Sequence, residues 1–144
     1  MKFFKRKWVL LILLLSLLGP LVFVRQNQQE HSKLLQTVLN LKELPGSVKA
    51  VDCEKWGQSG LLITCYFECD HQELAEIMKG RKFARMEKAT GSSFDDAVSG
   101  GPTRGKEFTV AHGWISKSGL KENDWIRLHT DSSKGQAITD IYIE

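Results

Sequence analysis

The chain has 144 residues, 42% of them hydrophobic and 26% charged, with a formal net charge of +3. Five of its twenty lysines and arginines fall in residues 1–25 and all seventeen acids fall beyond, so residues 26–144 carry a net −2. This mildly acidic remainder lacks the basic excess of a nucleic-acid binder, and it is long enough for one domain with its own core but hardly for two.

Lys2, Lys5, Arg6 and Lys7 form a basic head, Trp8 to Val24 follow without a charge, and Arg25 closes the run. As a helix the seventeen apolar or neutral residues would span about 25 Å, the short limit for crossing a hydrocarbon core of about 30 Å. A cleaved signal peptide is the alternative, but it needs small residues before the cut. Gly19 is followed by Pro20, Leu17 fills the other small site, and no Ala-x-Ala pattern lies near Val22 to Asn27. No cysteine stands near the end of the run, which excludes a lipid-modified lipoprotein. The basic residues concentrate ahead of the run, so the amino end is expected in the cytoplasm and the rest outside it. The expected organisation is a cytoplasmic tail (1–7), a transmembrane signal-anchor in lipid (8–24), a stalk with an amphipathic helix (25–45) and an extracytoplasmic domain (46–144). The compact length points to a bacterial inner or plasma membrane.

Leu34, Leu35, Val38, Leu39 and Leu41 recur at helical spacing, and Pro45-Gly46 is the expected stop. This stripe either covers the domain's own sheet or forms a homodimer seam, the first being the commoner use. Residues 47–56 and 61–69 read as a hairpin around Gly57–Gly60. In the second run Leu61, Ile63, Cys65, Phe67 and Cys69 share one face while Thr64, Tyr66 and Glu68 share the other, which predicts a sheet with one buried face. Asp70 with Glu73 has the form of a capping box opening a short helix to Lys79, ended by Gly80. Residues 81–90 read as irregular and 91–105 as a Gly/Ser-rich loop. Residues 106–116 predict a third strand, and 124–130 with 136–143 a terminal hairpin. The fold class is therefore α+β: a transmembrane helix, then one small domain with an antiparallel sheet of about five strands and one or two packed helices.

Three cysteines are present. If Gly57 faces Leu61, Cys53 lies opposite Cys65 and the two can form a disulfide; a longer loop would pair Cys53 with Cys69. The competing reading is three small apolar core residues. No His stands at ligand spacing beside them, so no metal site or cofactor is expected.

Gly100 to Lys106 satisfy G-x-x-x-x-G-K, but Glu107 replaces the Ser or Thr that would hold magnesium, and no strand–helix context surrounds the stretch. His112, His129 and the Asp95/Asp96 loop are the set a small membrane-tethered enzyme would use. Ser92 and Ser93 lack a nucleophile elbow. Lys79, Arg81, Lys82, Arg85 and Lys88 form the densest basic cluster of the exported part and are the candidate contact residues for an envelope protein partner. Phe83 is its only aromatic, which argues against single-stranded nucleic acid. Trp56, Trp114 and Trp125 either plug the core or display a binding surface, the core being the commoner use, and Trp8 is expected at the membrane interface. No coherent catalytic set emerges. The leading expectation is an anchored interaction domain at the cell envelope.

Overall fold

The computed structural model describes residues 26–57, 60–86 and 109–144. The membrane-segment reading of 8–24, Lys88, Ser92, Ser93, Asp95, Asp96 and the G-x-x-x-x-G-K stretch lie outside them. Among the described residues no helix is long and apolar enough to cross a membrane. The chain divides into two units, Met1–Glu30 and His31–Glu144, and the sheet lies in the second.

Residues 26–39 are helical (α1). The helix stops before Pro45-Gly46 because Asn40 turns left-handed, at φ 55°. The Asn40 N–H donates to the Thr37 carbonyl and the Leu41 N–H to that of Gln36, at 3.2 and 2.9 Å. This is a Schellman ending on asparagine, one of the few residues other than glycine that adopts the conformation readily.

Among the described residues six strands follow: β1 (Lys49–Trp56), β2 (Leu61–Glu68), β3 (Ala84–Arg85), β4 (His112–Ser116), β5 (Trp125–Thr130) and β6 (Gln136–Ile143). They form one sheet in the order β1-β2-β6-β5-β4-β3 with every neighbouring pair antiparallel. The sixth strand, beyond the five expected, is the two-residue β3, from the stretch read as irregular. Of the two registers the turn allows, the hairpin takes the one with Trp56 opposite Leu62 and Cys53 opposite Cys65. A bulge between Lys49 and Asp52 shifts the pairing nearer the strand start, where Ala50 has φ 51°. The terminal hairpin turns through Asp131, whose carboxylate accepts the N–H groups of Gly135 and Gln136 at 3.0 and 3.1 Å.

Helix α2 (Leu74–Lys79) starts later than a capping box on Asp70 requires, and no side chain caps it. The Glu73 carboxylate instead accepts the Ser47 hydroxyl and the Ser47 N–H, while the Asp70 N–H donates to the Ser47 hydroxyl. A tertiary contact has taken the side chain that the local motif would use. Gly80 ends α2 without a left-handed turn, at φ −62°. Its requirement is close approach: a Cβ there would lie 2.1 Å from the Leu39 carbonyl oxygen and 2.8 Å from that of Asn40.

One face of the sheet carries Val51, Cys53, Ile63, Cys65, Phe67, Ile126, Leu128, Ala137 and Ile141, packed with Leu35, Val38 and Leu39 of α1 and Leu74 and Ile77 of α2. The α1 stripe thus sits in the chain's own core, and the packed unit begins ahead of residue 46. Leu34 and Leu41 are partly buried against the same cluster. The expectation of one buried face needs correcting: on the opposite side Thr64, Tyr66, Ile138 and Asp140 are 0% exposed. Alternation reports which residues share a face, not whether that face meets water.

Candidate functional site

Cys53 and Cys65 are directly opposed on neighbouring strands, with Cα atoms 4.1 Å apart, and their sulfurs are bonded. Cys69, one residue past β2, is buried with a free thiol. Burial pushes that thiol up to about 11, with the nearby Asp131 charge acting in the same direction. A neutral buried thiol is a poor nucleophile, so Cys69 is inert in the folded state.

The second face of the sheet holds a polar row that alternation alone would have left in solvent. Register places Thr64 of β2 opposite Asp140 of β6, and Asp140 opposite Arg127 of β5. The Thr64 hydroxyl donates to Asp140 Oδ1 at 3.1 Å, and Arg127 Nη2 donates to Asp140 Oδ2 at 3.2 Å. The Arg127 guanidinium also lies over Trp125, 4.2 Å from its ring centroid, and Trp125 stacks on Tyr142 at 5.8 Å. Burial raises the Asp140 carboxyl to about 6 against the opposing pull of Arg127 and the two hydrogen bonds. One row along, Tyr66 donates to Glu68 at 3.2 Å, and burial raises its phenol to about 12. His129 is 4% exposed, and neither ring nitrogen has a hydrogen-bond partner among the described residues. Burial, aided by the Arg127 charge, lowers it to about 4. The imidazole is neutral at physiological pH.

This row is a ladder of stacked and paired groups rather than an open acid/base constellation. Asp140 has no exposed surface, and Trp125 packs against Tyr142 while Arg127 lies over its ring. His112 is not part of it. His112 faces Thr130, whereas Gly113 faces His129. Successive strand residues point to opposite faces, so the two histidines stand on opposite sides of the sheet. His112 lies instead beside Trp114, ring centroids 6.0 Å apart. Among the described residues no group of His, Cys, Asp and Glu is arranged to hold a metal ion.

The basic cluster separates into different roles. Lys79 is exposed but pairs with Glu76 one turn back on α2. Arg81 turns inward: its Nε donates to the Val38 carbonyl at 2.7 Å and its Nη1 to the Ser118 carbonyl at 3.0 Å. It therefore caps α1, whose terminal carbonyls lack helical partners. Its desolvation lowers the guanidinium below its ordinary value. Lys82 and Arg85 remain exposed, Arg85 on the edge strand β3 opposite Trp114.

The tryptophans also diverge. Trp114 packs partly against the core and Trp125 is half-buried in the ladder, but Trp56 is 41% exposed. It ends β1 beside Gly57, so it has a strand neighbour on one side only. Leu61, across the same turn, is 40% exposed, and these two are the exposed large hydrophobic residues among those described.

No family model, curated protein or solved structure matches the chain.

Proposed function

We propose that the protein is a single-pass envelope protein, its amino end cytoplasmic, whose α+β unit works outside the cytosol as an interaction domain. One observation carries the reading: the bonded Cys53–Cys65 pair across the first hairpin. Such bonds persist in oxidising compartments and are rare in a reducing cytosol. The basic head followed by the uncharged stretch Trp8–Val24 supplies the route to such a compartment. The interior chemistry supports binding over catalysis, because the titratable groups of the second face are paired or desolvated and the two histidines stand on opposite sides.

A protein partner is best met by Lys82 and Arg85, the exposed cations left among the described residues of the basic cluster once Arg81 is committed to capping and Lys79 to Glu76. Lys88 extends the same run in sequence. Charge complementarity at such a rim acts mainly on encounter rate and specificity. The test is cross-linking in intact cells followed by recovery from mild-detergent extracts. Lys82→Glu with Arg85→Glu removes the captured partner while Arg81 stays in place; equal capture from the doubly substituted protein would end the patch reading. A homodimer through the Leu34–Leu41 face would require α1 to leave the core, and its expected signature is a dimer band only under conditions that loosen the fold.

A further inference from the structure

We propose that copies of this chain join edge to edge, the basic outer strand β3 of one molecule adding to the acid-bearing outer strand β1 of the next; this rests on the reading of Lys82 and Arg85 as contact residues and is independent of the anchor. Among the described residues the sheet ends at β1 on one side and at β3 on the other. An outer strand carries backbone N–H and C=O groups with no ladder partner, which a further strand can satisfy. Ala84 and Arg85 of β3 and Lys55 and Trp56 of β1 are exposed.

Register shows which backbone groups point outward. Cys53 and Cys65 face each other with Cα atoms 4.1 Å apart, the close spacing of a pair that exchanges no ladder bonds. The Cys53 amide accordingly donates to a side chain, His31 Nδ1, at 3.4 Å. Two residues on, Lys55 directs its N–H and C=O away from β2 in the same way. On the other margin the Met86 N–H donates to the Gly113 carbonyl at 2.8 Å, so Arg85, one residue before, points its own N–H and C=O away from β4. The bulge between Lys49 and Asp52 spoils the start of β1 for pairing and leaves 52–56 as its regular part.

Charge and strand direction both favour a second copy as the occupant. The regular part of β1 carries two acids, Asp52 and Glu54, against one base, Lys55, whereas 82–85 carries Lys82 and Arg85 and no acid. A symmetric β1–β1 contact would set Asp52 and Glu54 against the same acids, and like charges opposed across strands are destabilising. A β3–β1 contact brings cations to acids. The direction agrees. Every neighbouring pair in the sheet is antiparallel, so β3 runs opposite to β1. A neighbour's β1 laid antiparallel on β3 therefore keeps the orientation of the first molecule's β1, and the core faces of both copies lie on one side of the extended sheet. The contact is heterologous, and it leaves one free edge at each end of the assembly.

Sedimentation velocity of the full chain in mild detergent, over a range of protein concentrations, reads the association. The wild type is expected to grow in mass with concentration. Asp52→Lys with Glu54→Lys makes both edges basic, and Lys82→Glu with Arg85→Glu makes both acidic. Each form alone is expected to associate about tenfold more weakly or worse, and their equimolar mixture to recover the wild-type level. Lys55→Pro removes an outward N–H and leaves the bonds to β2 intact, so it is expected to weaken association while the circular dichroism melt keeps its midpoint. A wild type that stays monomeric, a mixture no more associated than its parts, or association unchanged by Lys55→Pro overturns the edge contact. Should it fall, intact-cell capture of a different protein that still depends on Lys82 and Arg85 keeps those residues as contacts; capture independent of them overturns that reading as well.

Discussion

His129→Leu is expected to stabilise the protein, and to do so far more in acid than at neutral pH. His129 is 4% exposed with both ring nitrogens unpartnered among the described residues. At pH 7.5 the leucine removes buried polar atoms that cost about 1–3 kcal/mol when unsatisfied. Acidification adds a second effect. The folded imidazole is held at about 4 by burial and by Arg127, below its ordinary 6.5. Between these values the unfolded chain binds a proton that the folded one refuses, so the wild-type contribution is intact above about 6.5 and is lost as pH falls towards 4. At about 1.4 kcal/mol per unit, the loss by pH 4.5 is about 3 kcal/mol. Urea unfolding at pH 7.5 and 4.5 in mild detergent should show the variant's advantage grow by that order. An advantage equal at both pH values would mean that His129 titrates as though in water, and would refute its placement in a desolvated row.

Asp140→Asn is expected to act in the opposite direction. With its folded carboxyl raised to about 6, Asp140 favours the folded state below about 4 and loses that contribution as pH rises to 6. The asparagine variant should therefore gain stability relative to wild type over this window, read by the same unfolding series, set against the broken Arg127 ion pair; a gain that shrinks with rising pH contradicts the assignment. Gly80→Ala places a Cβ 2.1 Å from a backbone oxygen. It should cost about 1–3 kcal/mol and lower the thermal midpoint measured by circular dichroism, whereas an unchanged midpoint would show that the α1–α2 approach is looser than described. Arg81→Ala removes donors to the Val38 and Ser118 carbonyls and should cost about 1.5–3 kcal/mol, with Lys restoring only part. Full rescue by lysine would show that charge alone mattered.

The parts of the fold legible in the sequence are those written locally. Alternation in 61–69 and the glycines at 57 and 60 mark the first hairpin and narrow its register to two, and the turn residues 132–135 mark the last hairpin without setting its register. The meeting of β2 with β6 is not legible, because pairing across 68 to 82 residues leaves no local periodicity. Glu73 and Arg81 show another limit. Each has a sound local reading, as a capping-box acid and as a member of a basic run, and each is claimed by a distant backbone group. The buried second face was hidden for a related reason: Thr64, Arg127, His129 and Asp140 look like solvent-facing residues until register aligns them. Trp56 was misread in the opposite sense, since size and apolarity favour the core but a position beside the turn leaves it without neighbours.

The proposal of an anchored domain in an oxidising compartment stands or falls on thiol labelling of washed membranes. The protein is denatured with and without prior reduction, and the labels are counted by gel shift. One label before reduction (Cys69) and three after, on a full-length band in the membrane fraction, is the predicted result. Three labels in both lanes, or a shortened band in the soluble fraction, would contradict it.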